Sequence, residues 1–191
     1  MKSRIGVKML GLKKTYTLPF KFDLPNYAKE FLEENTFIKL WIKFIKRYLY
    51  IHLRAQNSLE IYNILPGHKK ILWINISAPS LGDSLMDLSS RIMLIGRKVD
   101  LFTDNNNSNL YKDDFLFSKV FTDIKQLGEC RYELVILDSY STRSIDIKVK
   151  IARLTPFVGM FGYYNGPEVN RVLFSFHQMN NLLGYIKTKM N

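Results

Sequence analysis

The strongest constraint on this chain is a series of short, almost wholly apolar runs that begins near residue 70 and alternates with helical patterns. Residues 71–76 (ILWINI), 98–103 (KVDLFT), 120–122, 132–138 (YELVILD) and 157–161 (FVGMF) read as five strands. Runs without polar alternation belong in a sheet covered on both faces, the usual state of parallel strands. Between them, residues 83–95 place Leu85, Leu88, Ile92 and Ile95 at helical spacing, residues 142–154 form a second helical pattern, and 174–187 a closing one. This alternation predicts an α/β fold, with a mainly parallel, doubly wound sheet and helices on both faces. Ligands of such sheets bind beyond the carboxyl ends of the strands. Here those ends are residues 77–83, 104–107, 138–143 and 161–164.

The chain before residue 70 has a different character. Of 28 Lys and Arg and 17 Asp and Glu in 191 residues, 14 basic and 5 acidic side chains fall in residues 1–70, a net of +9 against +11 for the whole. Residues 1–69 are therefore expected to form a basic, largely helical extension, and 70–191 the α/β domain. Such asymmetry points to an anionic partner or to a solvated lysine-rich surface. In 36–54 (TFIKLWIKFIKRYLYIHLR), Lys39, Lys43 and Lys46 recur at helical spacing and share a face with Tyr50, within a broad apolar surround. Two readings stand level: an interfacial helix on an anionic membrane surface, and a helix clamped onto the core with its lysines in water. No nucleic-acid-binding motif accompanies the charge, so a nucleic-acid partner is not expected.

No apolar run approaches the roughly 18 residues that would span a bilayer. The first residues lack the unbroken apolar core of a secretory signal, and the lone Cys130 cannot form an internal disulfide. The expected setting is cytoplasmic, peripheral on the inner face of the cytoplasmic membrane if the helix binds lipid. The histidines, His52, His68 and His177, are too scattered to predict a metal site.

The loop Ser80-Leu81-Gly82-Asp83-Ser84 leaves the first strand and enters a helix. Gly82 would allow a tight turn and close approach of a ligand. Asp83 has two readings: a helix cap, or a carboxylate acting as general base toward a hydroxyl. Gly82-Asp83-Ser84-Leu85 is similar to the signature of the GDSL esterases, with Ser84 as nucleophile. That chemistry needs a His and an acid to orient it, which that family places as a late Asp-x-x-His pair, and the residue three before His177 is Phe174.

A second resemblance covers more of the chain. ILWINISAPSLGD, KVDLFTD, YELVILD followed by Thr142-Arg143-Ser144, the stretch 156–161 and the stretch 176–184 resemble, in order, the N-terminal domain of the family 9 glycosyltransferases, the heptosyltransferases of lipopolysaccharide synthesis. The resemblance implies a Rossmann-like acceptor domain, one half of a two-domain GT-B arrangement. It implies Asp83 as the catalytic base toward an acceptor sugar hydroxyl, with Ser80, Leu81 and Gly82 placing it. Arg143 is implied to bind an acidic sugar or phosphate of the acceptor, the plainer alternative being a surface residue of its helix. The implied donor substrate is ADP-heptose and the acceptor a lipopolysaccharide or lipooligosaccharide core, without metal or cofactor. In that family the donor nucleotide is held mainly by a second domain. The expectation is therefore a truncated or split form that needs a separate donor-domain polypeptide, or a module that binds a glycan or lipid head group without turnover.

Overall fold

A computed structural model describes residues 37–78, 80–127, 131–162 and 170–185, with the backbone alone for 37–41, 43 and 44. The expectations that rest on residues 1–36, Pro79, Cys130, Tyr163 and Tyr164, and on the side chains of Lys39 and Lys43, lie outside the described residues.

Five strands form one sheet: β1 (Lys70–Asn75), β2 (Lys98–Thr103), β3 (Lys119–Phe121), β4 (Leu134–Leu137) and β5 (Phe157–Gly159). All four pairings are parallel and the order is β3-β2-β1-β4-β5. This is the Rossmann-like, doubly wound α/β sheet, whose order reverses between β1 and β4. Every residue of β4, and all of β1 after Lys70, is buried. That double-sided burial is why these strands read as continuous apolar runs.

Alternate residues of each strand feed two cores. On one face Trp73, Leu101, Ile136 and Val158 meet Leu88, Leu94, Phe174 and Met179. Leu88 links α2 (Leu81–Asp87) to the 3-10 segment Ser89–Leu94, which carries Leu94, and Phe174 and Met179 come from α5 (Arg171–Leu182). On the other face Leu72, Ile74, Val135 and Leu137 meet Ile51, Ile145 and Ile147. Those belong to α1 (Phe37–Leu53) and α4 (Thr142–Ala152). A short α3 (Asn105–Ser108) follows β2 and is capped by Asp104, whose Oδ1 accepts from Asn107 N at 2.9 Å.

The C-terminal half of α1 is part of the wall of the domain. Ile51 is fully buried, and the Tyr50 hydroxyl donates to Asp146 Oδ1 of α4 at 2.6 Å. Its opposite face, with Ile42, Lys46, Leu49 and Leu53, is exposed. No described helix is long and apolar enough to cross a membrane.

The helix expected over residues 83–95 is broken. The α-helix stops at Asp87 and a 3-10 segment continues to Leu94. The Ser89 hydroxyl donates back to the Met86 carbonyl at 2.8 Å, the kind of local bond by which serine competes with helix continuation. The buried set changes accordingly. Ser84, Asp87, Leu88, Ser90 and Leu94 face inward, while Leu85, Ile92 and Ile95 are exposed. Spacing alone missed this because the inward face of α2 is polar.

Gly159, at the end of β5, answers a specific contact. A Cβ there would stand 2.7 Å from Cε1 of Tyr140, whose ring packs edge-on against Phe157.

Lys148 of α4 is fully buried. Its Nζ donates to Gln56 Oε1 and, at 3.0 Å, to the Arg153 carbonyl, and it lies 5.1 Å from the centre of the Phe157 ring. Neither hydrogen-bond partner carries a formal charge, so burial pushes the amine down to about 7. Between about 7 and the ordinary 10.5 the unfolded chain holds a proton that the folded chain does not. Lys148 therefore makes stability rise with pH across that window, by up to about 1.4 kcal/mol per pH unit. Urea denaturation of the wild type and Lys148→Met between pH 7 and 10 tests this: the rise should shrink in the variant. Parallel curves would refute it.

Candidate functional site

The carboxyl ends of β1 and β4, where the strand order reverses, are tied together by Asp138. This buried carboxylate accepts from Ile76 N at 2.8 Å and Ser77 N at 2.6 Å through Oδ2. Its Oδ1 accepts from Ser139 N at 2.6 Å and Ser144 Oγ at 2.9 Å. Burial pushes the Asp138 carboxyl upward, opposed by these donors. Arg47 of α1 is drawn to the same end: burial lowers its pKa, and the Asp138 charge opposes that.

The loop after β1 places Asp83 in the first turn of α2. Ser80, in extended backbone, is the N-cap, and its Oγ accepts from Asp83 N at 3.2 Å. The cap is therefore Ser80 rather than Asp83. The Ser80 hydroxyl also donates to Asp83 Oδ2 at 2.7 Å. Asp83 Oδ1 lies 3.2 Å from Arg171 Nη1, and the Asp83 side chain keeps 21% of its surface exposed. Leu81 is exposed, and a Cβ on Gly82 would meet only Ser80 Oγ at 3.9 Å, so no steric contact requires glycine there.

Arg171 opens α5 and was not predicted. Its Nε and Nη2 hold both oxygens of Asp87, at 2.8 and 2.6 Å, while Nη1 reaches Asp83. One guanidinium thus bridges two carboxylates on successive turns of α2. Burial pushes the Asp87 carboxyl up to about 6, against the pull of Arg171. Below this cluster Ser84 is fully buried, its hydroxyl 2.9 Å from Tyr111 Oη and 3.3 Å from Asn75 Oδ1. Neither partner is a base fit to take its proton, so the esterase reading of Ser84 has no support in this geometry.

A cleft of about 850 Å³ opens on the α4 side of the same strand ends, between the tips of β2 and β3 and the first turns of α4. Arg143 and Lys150 line it, two turns apart on α4, with Asp104, Asp123 and Asp146. The acids are engaged locally: Asp104 by Asn107, Asp123 by Lys125 N, and Asp146 by Tyr50 and Arg54. Arg143 and Lys150 have no hydrogen-bond or ionic partner among the described residues. Thr103 also lines the cleft, and its buried Oγ1 is without a partner, as is Nδ2 of Asn75, its register partner on β1.

The residues singled out from the sequence thus divide between two places. Ser80, Leu81, Gly82 and Asp83 sit with α2, on the face shared with α5. Arg143 sits on α4, in a cleft that none of those four residues lines. Lys46 lies on the outer face of α1.

Two solved structures are similar to this chain: E. coli heptosyltransferase WaaC with ADP-2-deoxy-2-fluoro heptose, and the same enzyme with ADP. Each matches at 16% identity and a TM-score of 0.44, over 63% of this chain and 50% of the other. The chain therefore spans about half the length of these relatives. No family model matches it, and no curated protein does.

Sequence reasoning missed Asp87, Arg171 and Asp138. Asp87 and Arg171 are 84 positions apart, so only the fold joins them. Asp138 carried a usable signal: an acid directly after an apolar strand that precedes a serine-capped helix. Removing Arg171 leaves Asp87 buried and unpaired, a class of change that costs about 3–5 kcal/mol. Arg171→Ala should lose on that order at pH 7.5 in urea denaturation. The loss should shrink toward pH 5, where Asp87 can take a proton, and a pH-independent loss would contradict the pairing.

Proposed function

We propose that this chain is a heptosyltransferase-like glycosyltransferase component, forming the acceptor side of the reaction. The observation that carries the proposal is the setting of Asp83. It is a partly exposed carboxylate on the loop after β1, at the end of a parallel sheet where ligands bind, oriented by Ser80 and Arg171. The ordered sequence resemblance from ILWINISAPSLGD onward gives that carboxylate its role.

In this reading Asp83 takes the proton of an acceptor sugar hydroxyl as its oxygen attacks the anomeric carbon of the donor. The new carbon–oxygen bond forms as the bond to the leaving phosphate breaks. The nucleoside diphosphate departs with that electron pair. The donor is an ADP-heptose-like nucleotide sugar, held by a donor-binding domain beyond the described residues or on another polypeptide. Arg143 and Lys150 bind the anionic groups of a lipopolysaccharide-core acceptor, guanidinium being suited to such oxygens.

One observation favours a second reading, a glycan-binding module without turnover. Both Asp83 oxygens already have partners, Arg171 on Oδ1 and Ser80 on Oδ2. Binding and transfer separate the two. Heptose-deficient lipopolysaccharide should bind the wild type, and Arg143→Ala should weaken binding about tenfold or more, in keeping with a charge-assisted contact. Asp83→Asn should leave binding intact but cut transfer from ADP-heptose about 100-fold or more, within the range of a lost general base. Binding without transfer, with a donor domain supplied, leaves the module. Equal binding by Arg143→Ala removes the acceptor reading.

A further inference from the structure

We infer that the outer face of α1 is a docking surface for an anionic lipid bilayer, lying in the interface without crossing it. This rests on the surface of α1 and stands independently of the sugar-transfer reading.

Ile42, Lys46, Leu49 and Leu53 follow one another at helical spacing, and all four are exposed. Ile42 is 57%, Leu49 52% and Leu53 82% exposed, whereas Ile51, on the reverse of the helix, is fully buried. Leu154, just beyond the end of α4, against which α1 packs, is 83% exposed. Among the described residues the stripe is thus the unpaired side of a helix whose other side is fixed in the core. Large aliphatic side chains in line cost solubility unless something apolar covers them.

Charge selects the occupant. Residues 37–54 contain Lys39, Lys43, Lys46, Arg47 and Arg54 and no Asp or Glu. Of these, Arg54 is engaged with Asp146 and Arg47 is half-buried and drawn toward Asp138, which leaves Lys46 exposed on the stripe. An apolar stripe carrying an exposed lysine, on a helix of one charge sign, is complementary to a surface with acyl chains beneath anionic head groups. A second copy of the chain would set like charges face to face. Because α1 is docked on the sheet through Ile51 and Tyr50, membrane binding would hold the domain itself at the interface.

The test is co-sedimentation of the full chain with vesicles of phosphatidylcholine alone and of phosphatidylcholine with about one quarter phosphatidylglycerol, at roughly 0.1 M salt. Leu49→Asp/Leu53→Asp is compared with the wild type, with circular dichroism and melting temperature as checks of folding. Both positions are exposed, so the fold should survive. The wild type should bind the anionic vesicles, and the double variant should bind on the order of tenfold or more weakly. If the variant does not fold, Lys46→Glu/Leu53→Ser replaces it, with the same loss expected. Binding unchanged by the substitutions would place the attraction elsewhere in the basic chain and overturn the proposal. So would the absence of vesicle binding, or a dimer in sedimentation velocity that the same substitutions dissolve.

Discussion

The carboxyl edge of the sheet is organised around one buried charge. Asp138 stands at the point where the strand order reverses, and its two oxygens take four donors from three segments: Ile76 and Ser77 after β1, Ser139 beside it, and Ser144 inside α4. Its backbone continues the work, as Asp138 N donates to the Ile74 carbonyl and Phe161 N donates to the Asp138 carbonyl. A carboxylate without counter-charge in that position would be costly; one with four donors converts loose strand ends into a fixed rim. The start of the loop that carries Asp83 and the first turn of α4 that carries Arg143 are both referenced to this group.

Much of the frame was legible in the sequence for a simple reason. Parallel strands buried on both faces are mostly apolar, so the centre of YELVILD announces itself, and KVDLFT does so through Val99, Leu101 and Phe102 despite the buried Asp100 and Thr103. β2 has the span that its sequence predicts, and α4 begins at Thr142 as expected. What was hidden is the polar interior. α2 turns Ser84 and Asp87 inward and leaves Leu85 outside, which inverts the rule that apolar spacing marks the buried face. The inversion makes sense only with Arg171, Tyr111 and Asn75 in place, the first two contributed by distant segments and Asn75 by the end of β1. Asp83 itself was visible as a residue, but not the guanidinium that holds it.

The N-terminal helix shows a related limit. Its sequence supports either a membrane-facing or a core-facing role. The described part of α1 accommodates both, because Ile51 and Leu53 point to different sides of one helix. A period of 3.6 residues allows a 17-residue helix to bury one stripe and present another.

The two halves of the candidate site differ in what they have left to offer a ligand. On the α2 side one guanidinium is shared by two carboxylates, so the cluster keeps a net negative charge. Asp83 Oδ2, having accepted once from Ser80, retains a lone pair, and Oδ1 faces Arg171 Nη1 at 3.2 Å. On the α4 side the formal charges are mixed, but the acids have accepted local bonds while Arg143 and Lys150 have donors to spare. Unspent acceptor capacity on one flank and unspent donors on the other would orient a ligand with an anionic end and a neutral hydroxyl. In the proposed reading, the anionic end of the acceptor would go to α4 and its hydroxyl toward α2. An acceptor sugar bearing an acidic group has that polarity, whereas a simple neutral sugar would engage only one flank.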